Sequence, residues 1–527
     1  MSFKKNEIQE FNLFDPVYAL SDNLQKRLDH SWASHFYKEI FCAIDEQIYA
    51  VLFEDTTDGR PNVPINFIVG SLILKEVNSL SDKELIDNVA FNLQFRRALG
   101  CSSLETPVLS NRTLTRFRTR LASYELEHHT NLMQQTFYAI KEHLKAMMKI
   151  SPLTKRMDSA MIESNIKGMS RLELLYICAQ NVVKELEKEG LAIPDQLVHY
   201  QKVTDLNQVI YHEKGDDISN RYKTVLKDLE LIRSTLPESL LKNTNVQLMN
   251  RAIEEQTIST EGAPLSLRSN KEISPHSLQN PNDPAATYRK KAGKDHKGYI
   301  TNFVEIVDDD KTLLDDYDTQ INSYSDSQFA KDTLKKNGIR KEKEKLLTDG
   351  AYGGYDNFTL AKEHNVDLIT GNLMGRPSRT SETDAQFILD ESEQAIRYCP
   401  KGFTPMKQSY NEETETITAH FERSLCANCP LYDHCRAKLQ KKKSVVRISR
   451  KIIETARLRN KMGTKEYKKS MCKRNGIEGI PSILRRKYQI DKMPVRGVVR
   501  TQPFIACKYT AINFKKYMKW VEEKDIA

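Results

Sequence analysis

The 527-residue sequence has no apolar run near the ~18 residues needed to cross a bilayer, and its start, MSFKKNEIQEF, lacks the hydrophobic stretch of a secretory signal. Both absences predict a protein without membrane spans that is made and used in the cytoplasm. Cysteine is scarce. Nine residues are too few for a disulfide scaffold, so thiols that cluster read first as metal ligands. No glycine-rich phosphate loop or dinucleotide fingerprint is present, so nothing supports a nucleotide cofactor. The twelve His form no metalloprotease pattern. At about 150 residues per domain the chain has room for three or four domains. With 39% apolar and 29% charged residues it reads as globular rather than disordered.

The net charge of +9 hides a strong asymmetry. From Arg436 to Trp520 there are 26 Lys and Arg against four Asp and Glu, a local +22 that leaves the rest of the chain at −13. A basic segment on an acidic body suggests a polyanionic partner, and nucleic acid is the obvious one. Within it Tyr467, Ile477, Ile480, Ile483, Leu484 and Tyr488 interleave with the charges, which favours a folded segment over a solvated tail.

Residues 1–150 read as all-helical. Ser81 and Glu84 have capping-box spacing, followed by Leu85, Val89 and Leu93 at helical period. Ser110 or Asn111 is placed to cap a helix whose apolar stripe is Leu114, Phe117, Leu121 and Tyr124, with Arg112, Arg116 and Arg120 on the other side. That arginine face could grip phosphates or simply be solvated. A short strand is expected over Lys155–Ile162, a helical insertion over about 165–255 opened by a second capping box at Ser170 and Glu173, and loop over 257–286. Strand, helix and strand then surround Asp349, which is α/β organisation.

Three acids stand out by setting. Asp158 lies just past the short strand in KRMDSAMIESN. Asp349 ends a strand in KLLTDGAYGG, where glycines let the backbone turn and leave the carboxylate uncovered. Glu478 lies among Lys473, Arg474, Arg485, Arg486 and Lys487, where phosphates would be drawn. Three carboxylates that meet in space can hold two Mg²⁺ ions ~3.5–4 Å apart for phosphoryl transfer. Singly, Asp349 is also explained as a turn residue, Asp158 as a helix cap and Glu478 as a partner for Arg474. Separately, Cys399, Cys426, Cys429 and Cys435 form the frame C-x26-C-x2-C-x5-C, which suits a closed structural Zn²⁺ site, with His434 or His420 able to replace a thiol.

These residues resemble the DDE transposases of bacterial insertion sequences. The first acid matches RMDSAMIESNIKGMSRLELLY and the second LLTDGAYGGYDN. The frame Met471-x2-Arg474-x3-Glu478-x6-Arg485 is similar to the Tyr-x2-Arg-x3-Glu-x6-Lys of related members, with Met in place of Tyr and Arg in place of Lys. SLSDKELIDNVAFNLQFRRALG with SNRTLTRFRTRL is similar to the helical domain preceding the catalytic one. NDPAATYRKKAGKDHKGY and RKYQIDKMPVRGVVRTQPFIACKYTAINFKKY are similar to the family's second-strand and terminal segments. The resemblance implies an α/β fold. A ribonuclease H-like core with helical and zinc-ribbon-like insertions would follow an all-helical N-terminal domain. Its parts would be a DNA-binding domain at 1–150, a first part of the core at 151–395, a Cys-rich insertion at 396–440 and a basic part carrying the Glu at 441–527. The implied activity is cutting DNA at terminal inverted repeats and joining the freed 3′ ends to target DNA. Asp158, Asp349 and Glu478 would hold two Mg²⁺ or Mn²⁺ ions, and Arg112, Arg116, Arg120, Lys473, Arg474, Arg485, Arg486 and Lys487 would bind DNA. The implied partners are double-stranded DNA and further copies of the chain, as a homo-oligomer on DNA, with the protein cytoplasmic and associated with the nucleoid. A DNA-binding remnant without catalysis and a stand-alone metal-dependent nuclease are the alternative readings.

Overall fold

The computed structural model describes residues 2–6, 15–54, 62–101, 108–202, 217–259, 263–291, 293–373 and 377–526. Residues 203–216, within the expected helical insertion, lie outside the described set. The fold is a mixed helix and sheet structure, in keeping with the α/β expectation.

Its centre is a six-stranded sheet. Five of the strands are β1 (Thr154–Glu163), β2 (Lys294–Asp308), β3 (Lys311–Ile321), β4 (Glu344–Thr348) and β5 (Val366–Thr370). They run in the order β3-β2-β1-β4-β5, and the short strand Thr287–Lys291 also pairs with β2. β1, β2 and β3 are antiparallel, while β1, β4 and β5 are parallel. The sheet is covered on both sides, which explains why TNFVEIV in β2 is buried without alternation. Side chains still separate by period two. Ala160, Ile162, Tyr299 and Phe303 face one core, and Met157, Met161, Ile300 and Val304 face another.

The first core is shared with the N-terminal helices. Helices Trp32–Phe36, Ile65–Asn78, Asn111–His128 and Leu132–Met148 pack with the C-terminal helix Val498–Ile526 against β3. The Ser81–Glu84 capping box forms in full, with the Ser81 amide donating to Glu84 Oε2 at 2.7 Å and the Glu84 amide to Ser81 Oγ at 3.2 Å. Ser110 caps its helix through the Thr113 amide. At Ser170 only half of the expected box forms. The Glu173 amide donates to Ser170 Oγ, but the Glu173 carboxylate pairs with Lys167 at 2.8 Å. The second face of the sheet is covered by helices Asp326–Lys336 and Tyr355–Glu363.

Helices Arg171–Lys188, Asp217–Thr235 and Thr244–Gln256 enclose a core of their own, including Leu175, Val182, Leu229, Ile232 and Met249. Beyond β5, strands Lys407–Asn411, Thr416–Glu422, Lys438–Leu439 and Lys443–Ser449 form a separate antiparallel sheet. Helices Arg450–Met462, Lys465–Asn475 and Gly479–Arg486 follow and carry much of the positive charge.

Candidate active site

Asp158 sits inside β1 rather than just past a short strand. β2 accompanies β1 as far as Glu163, so the strand continues, whereas pairing with β4 covers only Thr154 to Arg156. In that parallel register Arg156 lies opposite Leu347, so Asp158 and Asp349 each follow two residues after a paired position. The two acids therefore stand where neighbouring strands part. β4 ends there because Asp349 caps a short 3-10 turn, its Oδ1 accepting from the Ala351 amide. Gly350 is required at this point, since a Cβ on it would collide with the carbonyl oxygen of Asn372.

Asp158 is mostly buried. Burial pushes its carboxyl above the ordinary range, against the opposing pull of the Ser159 amide, Arg474 and Lys291, and the like charge of Asp349 adds to the rise. Beneath the acids Tyr352 is fully buried, donates to Asn302 at 2.9 Å and is held neutral by burial and by Asp326, Asp158 and Asp349.

Glu478 reaches this region from the basic segment. It lies on the 3-10 turn Gly476–Glu478, between two helices. Arg474 joins it to Asp158: Nη1 is 2.6 Å from Glu478 Oε1 and Nη2 is 3.6 Å from Asp158 Oδ2. Two docking contacts hold the turn against the sheet. Tyr467 accepts from the Thr370 amide at 2.9 Å and donates to the Thr370 carbonyl at 2.8 Å, at the end of β5. Arg156 donates to the Lys473 carbonyl at 2.7 Å, and its guanidinium packs so closely on Gly476 that a Cβ there would strike it. Arg156 is itself fixed by the fully buried Glu305, which also takes Lys516.

Arg156 was not among the sequence candidates, and neither was Lys291, whose charge acts on Asp158. A signal for Arg156 was available: it precedes Asp158 by two residues on a strand and so shares its face. Met471, which stands where related members carry Tyr, packs beside Leu347, Ile369 and Tyr467.

The basic candidates divide by environment. Lys473, Arg485 and Arg486 are exposed, and Lys487 is half-buried with its ammonium 5.9 Å from the Tyr488 ring. Beside Lys487, Lys515 is held down to about 8 by burial and by that neighbouring cation. On helix Asn111–His128, Arg112 and Arg116 are exposed, but Arg120 lies over the Phe53 ring at 4.7 Å and so serves packing.

Cys399, Cys426, Cys429 and Cys435 line one small apolar pocket with Phe387, Phe403 and Phe421, and neither His420 nor His434 is in its walls. Burial raises the Cys426 and Cys435 thiols, and the neighbouring cysteines add to the rise. Among the described residues no three His, Cys, Asp or Glu side chains stand close enough to hold a metal ion. In donor chemistry both groups suit their expected ions: carboxylate oxygens for a hard divalent cation, four sulfurs for Zn²⁺. For the carboxylates the obstacle is specific, because Glu478 is drawn to Arg474 and its side chain is 64% exposed.

Residues 398–518 match the family model described as Transposase DDE domain. Residues 24–120 match the one described as Transposase domain (DUF772). The first match contains Glu478 and the four clustered cysteines, while Asp158 and Asp349 lie outside both. No curated protein and no solved structure matches the chain. A DDE domain implies a ribonuclease H-like core and, in general, a DNA-cleaving and DNA-transferring enzyme that uses divalent ions such as Mg²⁺. No helix among the described residues is long and apolar enough to cross a membrane.

Proposed function

Because the chain belongs to the DDE transposases of the insertion-sequence type, we propose that it binds the terminal inverted repeats of its element, cleaves the DNA there and transfers the 3′ ends to target DNA. What supports this reading is the placing of Asp158 and Asp349 where the pairing of β1 with β4 ends and the contact of one arginine, Arg474, with both Asp158 and Glu478. Asp158, Asp349 and Glu478 would hold two Mg²⁺ or Mn²⁺ ions, whose contribution when bound is Lewis-acid stabilisation of in-line displacement at phosphorus. The rest falls to the chain's own groups. Exposed Lys473, Arg485 and Arg486 attract the phosphate backbone, and Arg156 with Tyr467 fixes the segment that presents Glu478. In the first step water attacks phosphorus and the bond to the 3′ oxygen breaks, leaving a 3′-hydroxyl. In the second step that hydroxyl attacks a target phosphodiester, so one ester bond replaces another. Two ends must be held together for this, which calls for a homo-oligomer on DNA. A DNA substrate also fits a nucleoid-associated protein.

The test is a strand-transfer assay with purified protein and duplexes taken from the DNA flanking the gene. Joined products are expected with Mg²⁺ or Mn²⁺. Cleavage without joining would make the protein a nuclease, and binding alone would make it an inactive remnant.

The arginine face of helix Asn111–His128 contributes to DNA binding in this reading. Arg112→Ala with Arg116→Ala should leave the melting temperature within about 2 °C, because surface changes usually stay within ±0.5 kcal/mol. The slope of log affinity against log salt should fall by about one to two units. An unchanged slope would remove this helix from the DNA interface.

The four cysteines would form a structural zinc site, supported by their shared pocket. About one zinc per chain is expected by elemental analysis, and Cys429→Ser should lose the metal and lower the stability of this sheet. Protein purified without chelators that carries no zinc would dismiss the site.

A further inference from the structure

The position of Arg474 has a consequence for when the carboxylates can take a divalent cation. We infer that Arg474 is an internal counter-ion that competes with that cation for Asp158 and Glu478 and is drawn away by a phosphate of bound DNA. The inference rests on the proposed function, since it takes those acids to be the ligands.

Three observations carry it. First, the oxygens are the ones a metal would need. Asp158 Oδ1 already accepts from the Ser159 amide at 2.8 Å, so Oδ2 is the oxygen left for a cation, and Arg474 Nη2 is 3.6 Å from it. Glu478 Oε1 is held at 2.6 Å by Nη1 of the same guanidinium. Second, the grip on Asp158 is loose. The 3.6 Å separation is longer than a hydrogen bond, and Arg474 Nε is buried without a partner, so this arrangement leaves part of the fork unsatisfied. A phosphate offers several acceptor oxygens that match that fork. Third, only the side chain needs to move. Tyr467 and Arg156 clamp the backbone of helix Lys465–Asn475 at both ends, so release of Arg474 would leave Glu478 beside the sheet and free to turn toward Asp158 and Asp349.

DNA and metal should therefore bind with positive coupling, and the coupling must be reciprocal. Metal ions would be held weakly until DNA arrives, which keeps the hydrolytic centre idle on a free protein.

The test measures Mn²⁺ binding to the full-length protein by the loss of the free-ion EPR signal, with and without a short duplex at low salt. Wild type, Arg474→Gln, Arg474→Lys and Asp158→Asn are compared. Without DNA, Arg474→Gln should bind Mn²⁺ about tenfold tighter than wild type, as expected when a unit charge next to the ligands is removed. Arg474→Lys should stay near wild type. The duplex should tighten Mn²⁺ binding severalfold in wild type and by much less in Arg474→Gln. Equal or weaker binding by Arg474→Gln, with circular dichroism confirming its fold, would overturn the counter-ion role. If Asp158→Asn still loses Mn²⁺ in that case, the carboxylate reading stands alone. Unchanged Mn²⁺ binding by Asp158→Asn would remove both.

Discussion

Asp349→Asn should lower DNA cleavage by on the order of a thousandfold or more while leaving end binding within about twofold. The size follows from the chemistry asked of the carboxylate. If the three acids hold the cations, losing one anionic ligand removes about 4 kcal/mol or more of transition-state stabilisation, and each 1.36 kcal/mol is tenfold in rate. The fold should survive, because the structural task of this side chain is to accept from the Ala351 amide through Oδ1, and asparagine keeps that oxygen. Asp158→Asn should behave alike, since its Oδ1 accepts from the Ser159 amide. The measurement is nicking of labelled end duplexes in Mg²⁺ or Mn²⁺, with binding followed in parallel by gel shift. Cleavage by Asp349→Asn at the wild-type rate would sink the assignment.

The largest effect on stability is expected at Glu305. It is fully buried and takes two cations, Arg156 and Lys516. Glu305→Ala strands both charges against the sheet, and a buried pair broken from one side typically costs about 3–5 kcal/mol. The chemical denaturation midpoint should fall accordingly, whereas Glu305→Gln, which keeps two polar atoms, should lose less. Activity should drop further than the folded fraction accounts for, because Arg156 no longer holds the Lys473 carbonyl and the turn that presents Glu478. A midpoint within about 1 kcal/mol of wild type would mean that Arg156 and Lys516 find other partners.

Much of this was readable from residue order. Ser81 and Glu84 gave a capping box that formed, because such a box is a local contact between neighbours in the chain. Val366 to Thr370 was legible as a strand and is one. The same logic failed at Glu173, whose carboxylate had a nearby competitor in Lys167. The strand expected over Lys155–Ile162 is there as Thr154–Glu163, but Asp158 was set just past it, whereas the strand runs on through Asp158 beside β2, well over a hundred residues away. Of the candidate acids, local sequence could set the turn at Asp349, but that Arg474 would bridge Asp158 to Glu478 depends on how the basic helices dock. That docking is decided by Tyr467 on Thr370 and by Arg156 under Gly476, and neither contact has a signature in local spacing. Of the candidates Arg112, Arg116 and Arg120, set on one side of a helix wheel, Arg120 turned to Phe53, which a wheel cannot anticipate.

The way helix Val498–Ile526 closes the first core bears on how the chain is made in the cell. Phe36 meets Phe514 edge to face with ring centroids 5.2 Å apart, and Lys508 finds its buried partner Glu76 across 432 residues of sequence. At about 5–20 residues per second a ribosome needs roughly 20–90 s to cover that interval. The N-terminal helices can pack on one another in that time, as Trp32 does on Phe95 and Tyr49 on Phe117, but the apolar surface that this last helix covers stays open, so the yield of folded protein should fall when chaperones that bind such surfaces are depleted.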